Sequence, residues 1–194
     1  QFDTFYHEHI RTYSLNSFYH IGNFLNIKII HVSFPKRYGG NIRVFLRRST
    51  LKKINIKKKI YSEKKMFFKL KKTFLNNFKK WKKNKKIEIE LLNKKYGPLP
   101  AKSFPARASV IINYLKLNKK NVYSIFEQNF SKKVNKYVSG TDIKIVSDNK
   151  LKKIKTNIPI INFSWHISDE IRSYLKRKGL KNKIIDIINK KDFI

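Results

Sequence analysis

Residues 158–188 read IPIINFSWHISDEIRSYLKRKGLKNKIIDII, and the order of residue types in this stretch decides the fold class. Ile158 to Trp165 is an apolar, β-branched and aromatic run of strand length. Ser168 to Lys178 carries helical periodicity and is ended by Gly179, after which Lys183 to Ile188 returns to a β-branched run. Strands alternating with helices in this way imply a mainly parallel sheet in this half of the chain. Working upstream, Val122 to Phe126 and Ile143 to Val146 are further strand candidates, separated by a turn from Lys136 to Thr141 that contains Gly140. Ala106 to Leu117 reads as a helix entered from an irregular loop marked by Gly97, Pro98, Pro100 and Pro105. Ile87 to Leu92 is one more strand candidate.

The first half of the chain has a different texture. Ser14 is placed to cap a helix through Leu25, with Phe18, Ile21 and Leu25 on one face and Asn26 as its stop. Ile27 to Phe34 and Ile42 to Arg48 read as strands joined by a turn from Pro35 to Asn41 with Gly39-Gly40, so they pair antiparallel. From Leu51 to Lys86 lysine dominates. Met66, Phe67, Leu70, Phe74, Leu75, Phe78 and Trp81 recur there at helical intervals, so a basic amphipathic helix is expected from about Ser62, its N-cap candidate.

The chain has 194 residues with 46 Lys plus Arg against 12 Asp plus Glu, a formal net charge of +34. At 41% hydrophobic and 14% aromatic it is too apolar for a disordered basic tail. The absence of cysteine excludes disulfides, thiolate zinc sites and a Cys nucleophile, and fits a reducing cytoplasmic location. No uncharged apolar run is long enough to span a membrane. Gln1 in place of Met, without a signal-peptide pattern, leads to the expectation that N-terminal sequence is missing. The basic residues are 38 Lys and only 8 Arg. Arg is the side chain suited to bidentate phosphate and base-edge contacts, so the charge predicts non-specific polyanion binding more than sequence recognition. A basic RNA-binding or ribosome-associated protein is the alternative that the charge supports, and the lysine-rich helix also suits an anionic membrane surface.

The densest cluster of titratable groups is Tyr6-His7-Glu8-His9, behind Phe2-Asp3-Thr4-Phe5. Two imidazoles, a carboxylate and a phenol within four residues can supply a general base, its orienting partner and a donor for a developing oxyanion. In an extended segment Tyr6 and Glu8 share one face; in a helical turn Tyr6 and His9 come together. His7 and His9 lack the four-residue spacing of a zinc-binding helix, so no metal is assigned to them.

These residues and those that follow resemble a known family. Residues 1–9 with Tyr13-Ser14-Leu15 and Gly39 to Val44 are similar to the segments FDTIYHEH, YSL and GGSIRV of class I SAM-dependent sugar C-methyltransferases. Phe104 to Ser109 with Asn113-Tyr114 resembles that family's APAKGNTLLNY. Lys133 to Val146 resembles its KYTPGT segment, and Ser164 to Ile171 its WHIADEI. The resemblance implies a three-part enzyme with a zinc-binding module, a domain binding S-adenosyl-L-methionine, and a C-terminal Rossmann-like domain. Residues 1–49 would be the last helix and antiparallel strand pair of a truncated methyl-donor domain, 50–86 a linker helix, and 87–194 the C-terminal domain with a mainly parallel sheet. No GxGxG turn occurs in this chain, so the cofactor loop and the zinc module are expected elsewhere and these residues alone are expected to be inactive.

The implied chemistry is transfer of a methyl group from S-adenosyl-L-methionine to a carbon next to the 4-keto group of a nucleotide-linked deoxysugar. By the resemblance His9 is the base, Glu8 and Tyr6 are its active-site carboxylate and phenol, and Arg107, Ser109 and Asn113 approach the nucleotide sugar. Ala108, Asn135 and Ser139 stand where the family has Gly, Gly and Pro, and Ala108 is expected to restrict the approach of backbone to phosphate. Trp165 and His166 are expected to pack at a strand end.

Overall fold

The computed structural model describes residues 2–35, 40–48, 54–189 and 192. Gly39 in the expected turn, and the boundary near Ser49, lie outside the described residues. The chain divides into two compact units, one of Gln1–Glu8 with Asn77–Ile194 and one of His9–Asn76.

The larger unit is an α/β fold. Its five strands are β3 (Leu99–Lys102), β4 (Val122–Glu127), β5 (Lys144–Ser147), β6 (Ile160–Asn162) and β7 (Ile184–Asp186), in the order β5-β4-β3-β6-β7. Every neighbouring pair is parallel. The chain starts in the middle at β3, steps outward to β5, then crosses back to β6 and β7. The direction of winding reverses between β3 and β6, which is the topological switch point of a Rossmann-like sheet.

Both faces are covered. On one, α3 (Ala106–Leu115) buries Ala108, Ile111, Ile112 and Leu115 against Leu99, Val122, Ile125 and Ile145, joined by Trp81 and Ile89 of α2 (Lys57–Tyr96). On the other, α4 (Ser168–Arg177) sets Ile171 and Leu175 against Phe126, Ile160 and Leu151. Each fully buried Leu or Ile contributes about 1.5–3 kcal/mol of transfer free energy, so the apolar, near-continuous strands are what parallel pairing requires.

Two elements differ from the sequence reading. The Pro-rich stretch expected as an irregular loop contains β3, the central strand. Pro100 is tolerated because the register with β4 shifts between Leu99 and Pro100, while pairing with β6 involves only Ala101 and Lys102, so no ladder bond needs the missing N–H. Ile87 to Leu92 is helix rather than strand. Trp81, Lys85 and Ile89 recur every four residues and are all buried, so α2 continues through this stretch and ends at Tyr96 before Gly97, whose φ is +73°. Nor does Ser62 cap this helix, which begins at Lys57 with the Asn55 side chain accepting the Lys57 N–H at 3.1 Å.

In the smaller unit, α1 (Leu15–Phe24) is capped by Ser14 and stopped by Asn26 in the left-handed region at φ +50°. β1 (Lys28–Ser33) and β2 (Arg43–Arg47) pair antiparallel, and Leu15, Ile29, Val32 and Ile56 form the core. The first half of α2 exposes Tyr61, Met66, Phe67, Phe68 and Leu70.

Candidate functional site

In an open α/β sheet, ligands meet the crevice beyond the carboxyl ends of the strands at the switch point. Here that position is built by Lys102 at the end of β3 with Ser103 and Phe104 beyond it, and by Asn162 at the end of β6 with Ser164, Trp165 and His166 beyond it. The chain leaves β3 through Ser103, held at φ +69°. The Ser164 hydroxyl donates to Ser103 Oγ at 2.7 Å and bridges the two strand ends. The Ser164 N–H donates to Asn162 Oδ1 at 2.9 Å, and Asn162 Nδ2 donates to Asp186 Oδ1 at 2.7 Å. Asp186 also accepts from Ser168 Oγ at 2.8 Å and from Arg172 Nη2 at 2.7 Å. A polar network, buried at Asn162 and Ser164 and reaching the surface at Arg172, thus ties β6, β7 and the start of α4 together.

On the other side of β3, Lys102 is 1% exposed and its Nζ donates to Asp148 Oδ2 at 3.0 Å. The Tyr174 hydroxyl donates to the same oxygen. A cavity of about 300 Å³ opens beside Asp148, lined also by Lys152 and Lys178.

The four residues from Tyr6 to His9 follow a short 3-10 turn, Phe2–Thr4. Tyr6 is half-buried, whereas His7, Glu8 and His9 are exposed, with His7 Nε2 3.8 Å from Glu8 Oε1. Tyr6 and Glu8 belong to the larger unit, and His9 begins the smaller one. Of the residues expected to approach the nucleotide sugar, Ser109 and Asn113 are drawn together. Ser109 Oγ donates to the Ala106 carbonyl at 2.7 Å, and Asn113 Nδ2 donates to the carbonyls of Ser109 and Ser139 at 2.9 and 3.0 Å. Arg107 points elsewhere: its side chain is largely buried, with Nη1 3.7 Å from Asp3 Oδ2 and the guanidinium 5.7 Å from the centre of the Trp165 ring. Ala108 is fully buried in the core beneath α3, and Asn135 occupies a left-handed position at φ +66° where the resembled family has glycine, a conformation that Asn tolerates.

The β3–α3 turn is where a Rossmann-type fold would cradle a cofactor. In this chain it reads Ser103-Phe104-Pro105, and the Phe104 N–H is already taken by the Glu127 carboxylate at 2.8 Å. Bulky side chains and a carboxylate at this turn do not fit S-adenosyl-L-methionine, and no step of the chemistry is assigned to a donor held there. Among the described residues no group of three or more His, Asp or Glu is placed to hold a metal ion. No helix among them is long and apolar enough to cross a membrane.

Sequence reasoning missed Asp3, Lys102, Asp148, Tyr174 and Asp186. Asp3 stands inside the first quoted motif, and its exposure of 0% could not be read from its neighbours. Lys102 and Asp148 are 46 residues apart and meet only because β5 returns beside β4.

Residues 36–185 match the C-methyltransferase C-terminal domain family, well over half of the chain. No curated protein matched the sequence. The parallel sheet, its switch point and the motifs spread along it accord with that match, and the chain belongs to the C-methyltransferase C-terminal domain family.

Proposed function

We propose that this chain is the substrate-side portion of a C-methyltransferase that methylates the carbon next to the 4-keto group of a nucleotide-linked deoxysugar. The observation that carries the reading is the family match over residues 36–185, combined with the Tyr6-Glu8-His9 cluster that precedes it. S-adenosyl-L-methionine is the donor the resemblance implies, bound on a module other than these residues, and zinc belongs with that same upstream portion. In this reading residues 1–49 close the methyl-donor domain, 50–86 link, and 87–194 form the substrate domain.

The residues of this chain serve the carbon side of the reaction. The imidazole of His9 takes the proton from the carbon adjacent to the ketone, and the electron pair of that C–H bond moves into an enolate. The Tyr6 hydroxyl donates to the enolate oxygen, and Glu8 orients the base. Ser109 and Asn113 serve the nucleotide sugar beside the first turns of α3, and Arg107, turned toward Asp3 and Trp165, is the guanidinium that suits its diphosphate. Arg107 already pairs with Asp3, so a phosphate there would share the guanidinium with that carboxylate.

The test is deuterium washout from a 4-keto deoxysugar nucleotide in D2O, using the enzyme that joins this chain to its donor module but omitting the donor. Exchange at one carbon next to the ketone, lowered about 10²–10⁴-fold in His9→Ala, is expected for a general base. Normal washout and methylation by His9→Ala would remove His9 from that role.

A further inference from the structure

Asp3 is fully buried, an unusual position for a carboxylate on a three-residue turn near a chain end. One oxygen, Oδ2, accepts the Trp165 indole N–H at 2.8 Å and lies 3.7 Å from Arg107 Nη1. The other, Oδ1, accepts no hydrogen bond from the described residues. Burying a charge is costly unless it is paired. A leucine here would bury more apolar area at no electrostatic cost, but it would leave the turn free to slide and rotate on its support. The indole N–H and the guanidinium are directional, so they fix both the position and the orientation of the turn.

The two partners come from opposite sides of the switch point. Arg107 lies in the first turn of α3, just after β3, and Trp165 follows β6 by three residues. Asp3 therefore reads the relative placement of the two strand ends that bound the crevice. It lies three residues before Tyr6 and five before Glu8, a span of at most about 18 Å even when extended. A small rotation at Asp3 therefore displaces both side chains.

We propose that Asp3 is a positioning residue for the methylation reaction: its buried carboxylate, held by Trp165 and Arg107, pins the Phe2–Thr4 turn to the parallel-sheet unit and so orients Tyr6 and Glu8. The inference rests on the reading of Tyr6 and Glu8 as groups that serve the reaction.

Two measurements test it. Backbone amide exchange on the full 194-residue chain compares wild type with Asp3→Ala, Asp3→Asn and Trp165→Phe. Exchange over residues 4–8 should quicken at least about tenfold in Asp3→Ala and Trp165→Phe, because a local tether has been released, with β3–β7 unchanged. Asp3→Asn, which keeps an acceptor for the indole, should stay near wild type. In the enzyme that joins this chain to its donor module, Asp3→Ala should lose about 10–100-fold in kcat, the expected cost of misplaced groups, with a smaller change in KM for the sugar nucleotide, since Arg107 loses its partner, and substantial rescue of kcat by Asp3→Asn. Unchanged exchange over residues 4–8 overturns the tether. Faster exchange with unchanged kcat, or a change confined to KM, reduces Asp3 to a structural anchor and overturns the positioning role. A wild-type enzyme that methylates no sugar nucleotide overturns the functional reading and the role that depends on it, while the exchange data still decide the tether.

Discussion

Lys102 and Asp148, 1% and 3% exposed, form an ion pair in the interior, with the Tyr174 ring 4.9 Å below the ammonium and its hydroxyl donating to the carboxylate. Burial alone would raise the Asp148 carboxyl. The hydrogen bonds from Tyr174 and Lys102, with the positive charges of Lys102 and Lys178, outweigh it and hold the group below the ordinary carboxylate range. Burial, reinforced by Asp148, pushes the Tyr174 phenol up to about 12. A depressed carboxylate stabilises the fold above its unfolded value of about 3.9, and that contribution is lost as pH falls through the folded value. A raised phenol contributes fully below about 10 and loses its contribution as pH climbs toward the folded value. Asp148→Ala strands a buried ammonium and should cost about 3–5 kcal/mol in urea unfolding, whereas Lys102→Met combined with Asp148→Leu should recover most of it. A double variant as unstable as the single one would mean that packing, not charge, sets the cost.

His166 offers a second reading of pH at this scale. Its imidazole is held below the ordinary histidine value, first by burial and then by the charge of Arg107, against smaller opposing effects of Asp3 and Glu170. The fold therefore favours the neutral ring, and the stability this provides above about pH 6.5 declines as pH falls below it. Thermal melts between pH 8 and pH 5 should show that decline in wild type and a shallower one in His166→Gln. Parallel curves would detach the acid sensitivity from His166.

At the scale of elements, the N-terminus of α1 carries two kinds of cap. Ser14, legible in the sequence as a cap, and Ser17 exchange hydrogen bonds at 3.2 Å. The Glu63 carboxylate takes the Leu15 and Asn16 N–H groups at 2.9 and 3.0 Å from α2, and no local pattern announces it. A carboxylate on a helix N-terminus satisfies orphan donors and complements the macrodipole. Ser14→Ala should cost about 1 kcal/mol and Glu63→Ala about 1–2 kcal/mol in chemical denaturation. A silent Glu63→Ala would mean that solvent caps α1 equally well.

The same contrast explains what could be read beforehand. Period and punctuation are local, so α1, β1, β2, β4, α4 and the stop at Gly179 were visible in residue order. The burial that turns IEIELL into helix depends on Lys85 and Trp81, one and two turns before Ile89, and six residues read alone do not carry that longer period. Pro100 hid the central strand because its tolerance depends on which neighbour pairs at which position, which is tertiary information. At the candidate site, residues inside motifs were legible, while partners such as Asp3 with Trp165, 162 apart, become neighbours only through the fold.

The whole molecule carries +34, and its lysines are crowded in the stretch from Leu51 to Lys86. Sixteen of them lie between Leu51 and Lys86 against the single acid Glu63, fourteen of these within α2, whose first half also exposes Tyr61, Met66, Phe67, Phe68 and Leu70. The switch point, by contrast, pairs its charges internally, as buried Lys102 with Asp148 and the more exposed Arg172 with Asp186. A polyanion would therefore meet the helix rather than the crevice, and would be bound by hydrated ammonium groups that carry no sequence information. Filter binding to single-stranded RNA should be indifferent to sequence and weaken roughly 300-fold or more between 50 and 200 mM salt if six or more phosphates are contacted. Replacing Lys64, Lys65, Lys69 and Lys71 by Gln should reduce the log–log salt slope by up to about 3, near 0.7 per phosphate contact removed. A sequence-selective complex that survives high salt and ignores those four substitutions would instead make RNA a specific ligand of this chain, and the methyltransferase reading would then have to account for it.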